Sequence, residues 1–182
     1  MESNPKIRYQ TNILMKLILI GFMGSGKTLV AKLLAKKLKL KLIELDDLIL
    51  KVSNRTSINQ IFNKDEEIRF RQLEINQAKK LASLKNTVIS TGGGVVMNKI
   101  ILDYLKQNNG QVIFLQADFS VIQKRLKNDS NRPLFTDLKK AKKLFLFRQP
   151  LYEHYADLTI PTNNLSINQV ANLIIKKQKL YD

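Results

Sequence analysis

Eight consecutive residues, Gly21-Phe22-Met23-Gly24-Ser25-Gly26-Lys27-Thr28, have the types and order that grip a chain of phosphates, the pattern G-x-x-x-x-G-K-[ST]. Backbone N–H groups must curl around anionic oxygens, and glycines at Gly21 and Gly26 let the chain do so. A helix starting near Lys27 turns its positive end toward the same anion. Lys27 then reaches the β- and γ-phosphates, and the Thr28 hydroxyl binds Mg²⁺. A glycine turn that merely closed a strand–helix unit would need neither the lysine nor the hydroxyl. The chemistry expected here is nucleotide binding, with the reaction left open.

A second glycine cluster narrows the reaction. The chain holds seven glycines, and six of them fall in two places, the loop above and the triplet Gly92, Gly93 and Gly94. The triplet follows the apolar segment Thr87 to Ser90, so in a parallel sheet it lies at the carboxyl edge beside the phosphate loop. No aspartate ends that segment in the manner of a Walker-B motif; Ser90 and Thr91 take the place. Three glycines in a row offer backbone amides without side chains, which suits a small hydroxylated substrate held closely. The alternative is an ordinary turn at the end of a strand.

Both loops require a scaffold, and the apolar pattern supplies it. Met15 to Ile20 is an apolar run of strand length that stops at Gly21. Leu29, Val30, Leu33, Leu34 and Leu38 then recur at helical spacing, predicting a helix over about 27–39. Strands are expected at 40–45, 87–90, 111–116 and 158–160. Helices are expected within 47–84 and at about 99–107, 119–127, 138–155 and 167–177, with a polar, Pro-containing loop at 128–136. Strands alternating with helices imply a parallel sheet in a three-layer α/β/α fold of the P-loop NTPase kind. Residues 15–182 read as one domain, and 1–14, which lack an apolar period, as a flexible N-terminal extension.

Composition closes off other classes. The 182 residues are 44% hydrophobic and 25% charged, which excludes a disordered chain. Cysteine is absent, so disulfides, thiolate metal sites and a cysteine nucleophile are excluded. No apolar run approaches the roughly 20 residues of a membrane span, and the first residues carry no signal-peptide core. The expectation is a cytoplasmic protein with no membrane partner. The 31 Lys plus Arg against 15 Asp plus Glu leave a net charge of +16. Such a charge admits a nucleic-acid-binding role. Lysine outnumbers arginine 24 to 7, however, with no interleaved aromatics, and this reads as solvated helix faces rather than a nucleic-acid surface.

Four further segments stand in order with the two loops: Asp46, nineteen residues past Lys27; Phe70-Arg71-x-x-Glu74; Arg132-Pro133-Leu134; and Arg148-x-Pro150-Leu151-Tyr152. With these the chain resembles the shikimate kinase family over about Met15 to Leu180. The resemblance implies a nucleoside-monophosphate-kinase-like fold with a five-stranded parallel sheet, a substrate subdomain over about 46–84 and a mobile lid over about 128–138. It implies transfer of the γ-phosphate of ATP to the 3-hydroxyl of shikimate, in chorismate and aromatic amino-acid biosynthesis. A gluconate kinase is the nearest enzymatic alternative.

The same resemblance implies roles for particular residues. Gly24, Ser25, Gly26, Lys27, Thr28 and Leu29 would hold ATP, with Arg125 near its phosphates and Arg132, in the lid, meeting the transferring phosphoryl. Asp46 would take hydrogen bonds from the ring hydroxyls and orient, or partly deprotonate, the attacking one. Arg71 and Arg148 would pair with the shikimate carboxylate, where a fork of N–H donors suits a planar anion. Gly92, Gly93 and Gly94 would close over the ring, Glu74 would orient Arg71, and Phe62 and Phe70 would shape the subdomain. Lys27, Asp46 and Arg132 are thus the catalytic set. Mg²⁺ would be held by Thr28 and, through water, by Glu44. Here the chain departs from the family's Asp-x-Asp: the segment is Glu44-Leu45-Asp46-Asp47, with Glu in the first position. The partners implied are ATP and shikimate, with no nucleic acid, and the protein is expected to be a monomer.

Overall fold

Leu17, Ile18, Leu19 and Ile20 have no exposed surface. An unbroken apolar run of this kind can be satisfied only by cover on both faces, the position of a central parallel strand. In the computed structural model, which describes residues 15–127 and 137–178, the run is β1 (Lys16–Ile20). It lies in the middle of a five-stranded parallel sheet with β2 (Lys41–Glu44), β3 (Thr87–Ser90), β4 (Gly110–Gln116) and β5 (Leu158–Pro161), in the order β2-β3-β1-β4-β5. Ile18 stands opposite Ile89 on one side and Val112 on the other. Pro161 is tolerated because β5 is an edge strand.

Alternation along the strands divides the core between the two faces. Leu17, Leu19, Ile113 and Leu115 pack with Val30 and Leu34 of α1 (Lys27–Leu38) and Val170 and Ile174 of α7 (Ile167–Lys177). Ile18, Ile20, Val112 and Phe114 face the other way. They join residues of α2 (Leu45–Ser53), α3 (Ile58–Leu81), α4 (Lys99–Lys106), α5 (Phe119–Leu126) and α6 (Leu138–Tyr155). A 3₁₀ turn, Val95–Met97, precedes α4.

Two features differ from the expected elements. The helical stretch after β2 starts at Leu45 rather than 47, directly on the end of the strand. It comprises two helices, α2 and α3. Asn54 adopts a left-handed conformation at φ 53°, which ends α2, and the Ser57 side chain accepts the Gln60 N–H to start α3. Lys16 is the other surprise, a charged residue wholly buried within the apolar run. Its ammonium donates to Ala82 O at 2.7 Å and Leu81 O at 3.4 Å, at the carboxyl end of α3 where helical carbonyls lack partners. Burial lowers its pKa. The contact ties α3 to the centre of the sheet.

Candidate active site

The loop between β1 and α1 gathers its amides by backbone conformation. Gly21, Gly24 and Gly26 all have positive φ. At Gly26, φ 97°, nothing lies within 4 Å of where a Cβ would stand, so glycine is required there for conformation alone. An L side chain in the left-handed region costs roughly 1–2 kcal/mol. Lys27, nearly buried, donates from Nζ to Gly21 O at 2.8 Å and Phe22 O at 3.0 Å. The Thr28 hydroxyl donates to Oε2 of Glu44, the last residue of β2, at 3.3 Å. Glu44 Oε1 is buried with no protein partner.

β3 lies beside β1, so the chain leaving β3 runs next to this loop. Thr91 secures the junction, its N–H and hydroxyl both donating to Leu19 O. The glycine triplet that follows has ordinary φ, and what a side chain at Gly92 or Gly94 would do is displace the charged groups that lie against it. A methyl on Gly94 would stand 2.9 and 3.1 Å from Nη1 and Nη2 of Arg71 and 3.5 Å from Nη2 of Arg148. On Gly92 it would stand 2.8 Å from Asp46 Oδ1, and on Gly93 3.4 Å from the Met23 amide nitrogen of the phosphate loop. One stretch of bare backbone therefore touches a carboxylate, two guanidinium groups and the nucleotide loop.

The arginines are held by specific partners. Arg71 Nη1 donates to the buried Glu74 Oε2 at 2.6 Å, while Nε and Nη2 donate to Glu67 Oε1 at 3.2 and 2.9 Å. Burial works against the Arg71 charge, but the two glutamates outweigh it and hold its pKa above the usual value. Burial raises the pKa of Glu74, with Arg71 opposing. Arg148, on α6, donates from Nη1 to Gly93 O at 3.2 Å, and burial lowers its pKa. Tyr152, one helical turn further on, donates its hydroxyl to the same carbonyl at 2.5 Å. Arg125, on α5, donates from Nη2 to Thr162 O at 2.6 Å and from Nη1 to Gly24 O at 3.4 Å, which places it at the phosphate loop.

Of the residues singled out in the sequence, Asp46, Arg71, Gly92, Gly93, Gly94 and Arg148 meet in one place, with Gly21 and Met23 of the phosphate loop adjoining. Leu29 is exposed in the first turn of α1, and Asp47 is exposed in the first turn of α2. Phe62 and Phe70 pack ring to ring at 4.8 Å. Arg132 and the lid segment 128–136 lie outside the described residues, as do 1–14; Asp137 caps α6 by accepting the Lys140 N–H. The sequence motifs assign no role to three participants, Glu67, Tyr152 and Thr162. Glu67 stands four residues before Arg71 and Tyr152 four after Arg148, the spacing that puts helical residues on one face, so that signal was present. Thr162 had none.

A phosphate loop after the central strand, faced across the carboxyl edge by an arginine-lined glycine turn, defines a P-loop kinase of the nucleoside-monophosphate-kinase-like fold. A model of the family "Shikimate kinase" matches residues 23–179. The chain is 42% identical to the shikimate kinase of Thermodesulfovibrio yellowstonii, over 88% of this chain and 93% of that one. It is 44% identical to that of Pelotomaculum thermopropionicum, over 87% and 92%. The structure of shikimate kinase from Acinetobacter baumannii in complex with shikimate superposes with a TM-score of 0.83 at 32% identity, covering 93% of this chain and 96% of that one. The chain belongs to the shikimate kinase family, and its activity is the ATP-dependent phosphorylation of shikimate.

Proposed function

We propose that the γ-phosphoryl of ATP passes to the 3-hydroxyl of shikimate across the gap between residues 24–29 and the glycine triplet. The observation that supports this most is the meeting of Asp46, Arg71 and Arg148 around Gly92–Gly94, beside the phosphate loop. The two guanidinium groups pair with the shikimate carboxylate and fix the ring. Asp46 accepts a hydrogen bond from the hydroxyl that attacks, turning an oxygen lone pair toward phosphorus. That oxygen forms the new P–O bond as the bond from the γ-phosphorus to the β–γ bridging oxygen breaks, and the hydroxyl proton leaves toward Asp46. Lys27 moves from its carbonyl partners onto the phosphates and neutralises charge as it shifts to the leaving oxygen, with Arg125 beside the loop. A coupled ADP-release assay tests the assignment. Turnover with shikimate at about 1–100 s⁻¹ is expected, and turnover with gluconate but not shikimate would overturn it.

Thr28 and Glu44 fit a magnesium ion. Mg²⁺ takes oxygen donors, keeps several waters and is bound by one or two protein groups with the substrate phosphates. A hydroxyl and a carboxylate with one buried, unpartnered oxygen are such a set. Among the described residues no group of three acidic, His or Cys side chains exists that would hold a metal on protein ligands alone. When bound, the ion supplies positive charge at the phosphates. Glu is one methylene longer than Asp, a difference that an outer carboxylate reaching through water absorbs. Glu44→Asp is therefore expected to stay active, whereas Glu44→Ala raises the Mg²⁺ concentration for half-maximal rate and lowers kcat, read from magnesium titrations of the ADP-release rate.

Arg132 completes the positive side of the reaction in this proposal. Arg132→Ala is expected to lower kcat far more than it raises the shikimate KM, because charge on the moving phosphoryl is greatest in the transition state. Initial-rate kinetics with shikimate as the varied substrate check this, and a change in KM alone would remove Arg132 from the catalytic set. We also propose that the protein acts as a cytoplasmic monomer. No described helix is long and apolar enough to cross a membrane. The basic surface is expected to give no nucleic-acid binding at physiological salt.

A further inference from the structure

The glycine triplet is held differently at its three carbonyls. Gly92 O accepts the Val95 N–H and Gly94 O the Met97 N–H, both within the turn itself. Gly93 O is held from another element, by Tyr152 and Arg148 of α6. The Tyr152 side chain has no freedom to do otherwise. It is wholly buried and its ring stacks on Phe114 of β4, centroids 5.1 Å apart and 17° from parallel. The two donors fill both lone pairs of one carbonyl oxygen.

We infer that Tyr152 is a positioning residue for shikimate: by fixing the Gly93 carbonyl, its hydroxyl sets the plane of the Gly93–Gly94 peptide and the placement of Arg148 beside Arg71. The inference rests on assigning the shikimate carboxylate to these two arginines. A peptide unit is planar and trans, so a fixed carbonyl also fixes the direction of the following Gly94 N–H. Gly94 is where the two arginines come together, each with a guanidinium nitrogen within 3.5 Å of where a Cβ of that residue would stand. Arg148 spends Nη1 on Gly93 O, and Nη2 is the atom left facing Gly94. Burial raises the Tyr152 pKa, so the phenol remains a donor through the working pH range. Without the hydroxyl, the ring would still pack on Phe114, but the peptide would be free to turn and Arg148 would be the sole partner of its carbonyl.

The test is Tyr152→Phe in the full chain, measured beside Arg148→Ala, with KM for each substrate, kcat and melting temperature. We expect Tyr152→Phe to raise the shikimate KM about tenfold while the ATP KM stays within about twofold and kcat within about threefold. Calorimetric titration with shikimate in the cold should show the same loss of affinity, and it reads the effect even in a variant of lowered melting temperature. A lower melting temperature with unchanged shikimate affinity would mean the hydroxyl only stabilises the fold, and would overturn the proposal. So would unchanged shikimate affinity in Tyr152→Phe where Arg148→Ala loses tenfold or more, a result that leaves the substrate site standing. If Arg148→Ala also binds shikimate normally, the carboxylate assignment falls and the positioning role falls with it.

Discussion

Lys27→Ala is expected to reduce kcat at least about a thousandfold, which corresponds to ~4 kcal/mol of transition-state stabilisation. No other described side chain combines a mobile positive charge with a root in the phosphate loop. Arg125 reaches only the rim of that loop, through Gly24 O, and is committed to Thr162. The ammonium of Lys27 instead rests on Gly21 O and Phe22 O, two acceptors that it can exchange for phosphate oxygens without unfolding anything. Its removal leaves those two carbonyls with one fewer donor, so a fall of a few degrees in melting temperature is expected besides. Single-turnover kinetics and a thermal melt separate the two effects. Residual activity within about tenfold of the unaltered protein would show that the loop binds nucleotide without contributing to transfer.

Asp46→Ala should abolish shikimate turnover and leave ATP binding intact, while Asp47→Ala should behave like the unaltered protein. The two carboxylates are adjacent in the chain, but the first turn of α2 separates them. Asp46 lies against Gly92, with Oδ1 2.8 Å from where a Cβ of that residue would stand, and Asp47 is exposed. Adjacent residues on a helix point about 100° apart, so only one of the pair can face the glycine triplet. Loss of turnover should exceed about a hundredfold, the usual scale for a group that orients a proton in the reaction. Nucleotide binding followed by titration with a fluorescent ATP analogue provides the control. If Asp47→Ala were the inactive variant and Asp46→Ala the active one, the roles of the pair would be exchanged.

Much of this architecture is legible in the chain because its determinants are local. The strand Lys16–Ile20, the loop of residues 21–28 and helix Lys27–Leu38 follow from an apolar run, three glycines and a periodic pattern within about 25 consecutive residues. Sheet strands at 87–90, 110–116 and 158–161 sit where buried apolar runs predict them. The boundary at Leu45 was less visible, because the end of β2 and the start of α2 share residues that suit either state. The burial of Lys16 was invisible from the pattern. A lysine in an apolar run is paid for by carbonyls at Leu81 and Ala82, more than sixty residues away.

The sequence by itself determined the phosphate loop, the class of fold and, through six segments in family order, the reaction. Tertiary structure alone decided that Gly92 is shaped by Asp46, Gly93 by Tyr152 and Gly94 by Arg71 and Arg148, residues drawn from α2, α3 and α6. It also decided that the two glycine clusters owe their glycine to different causes, backbone conformation at Gly26 and close approach at Gly94. The physical reason is the range of the interactions. A phosphate loop is built from the torsions and amides of consecutive residues, so residue type and spacing contain it. The substrate side is built where β3 comes to lie beside β1 and α6 packs on β4 and on the turn that follows β3, and contacts between elements so far apart in the chain follow from packing rather than from any spacing along it.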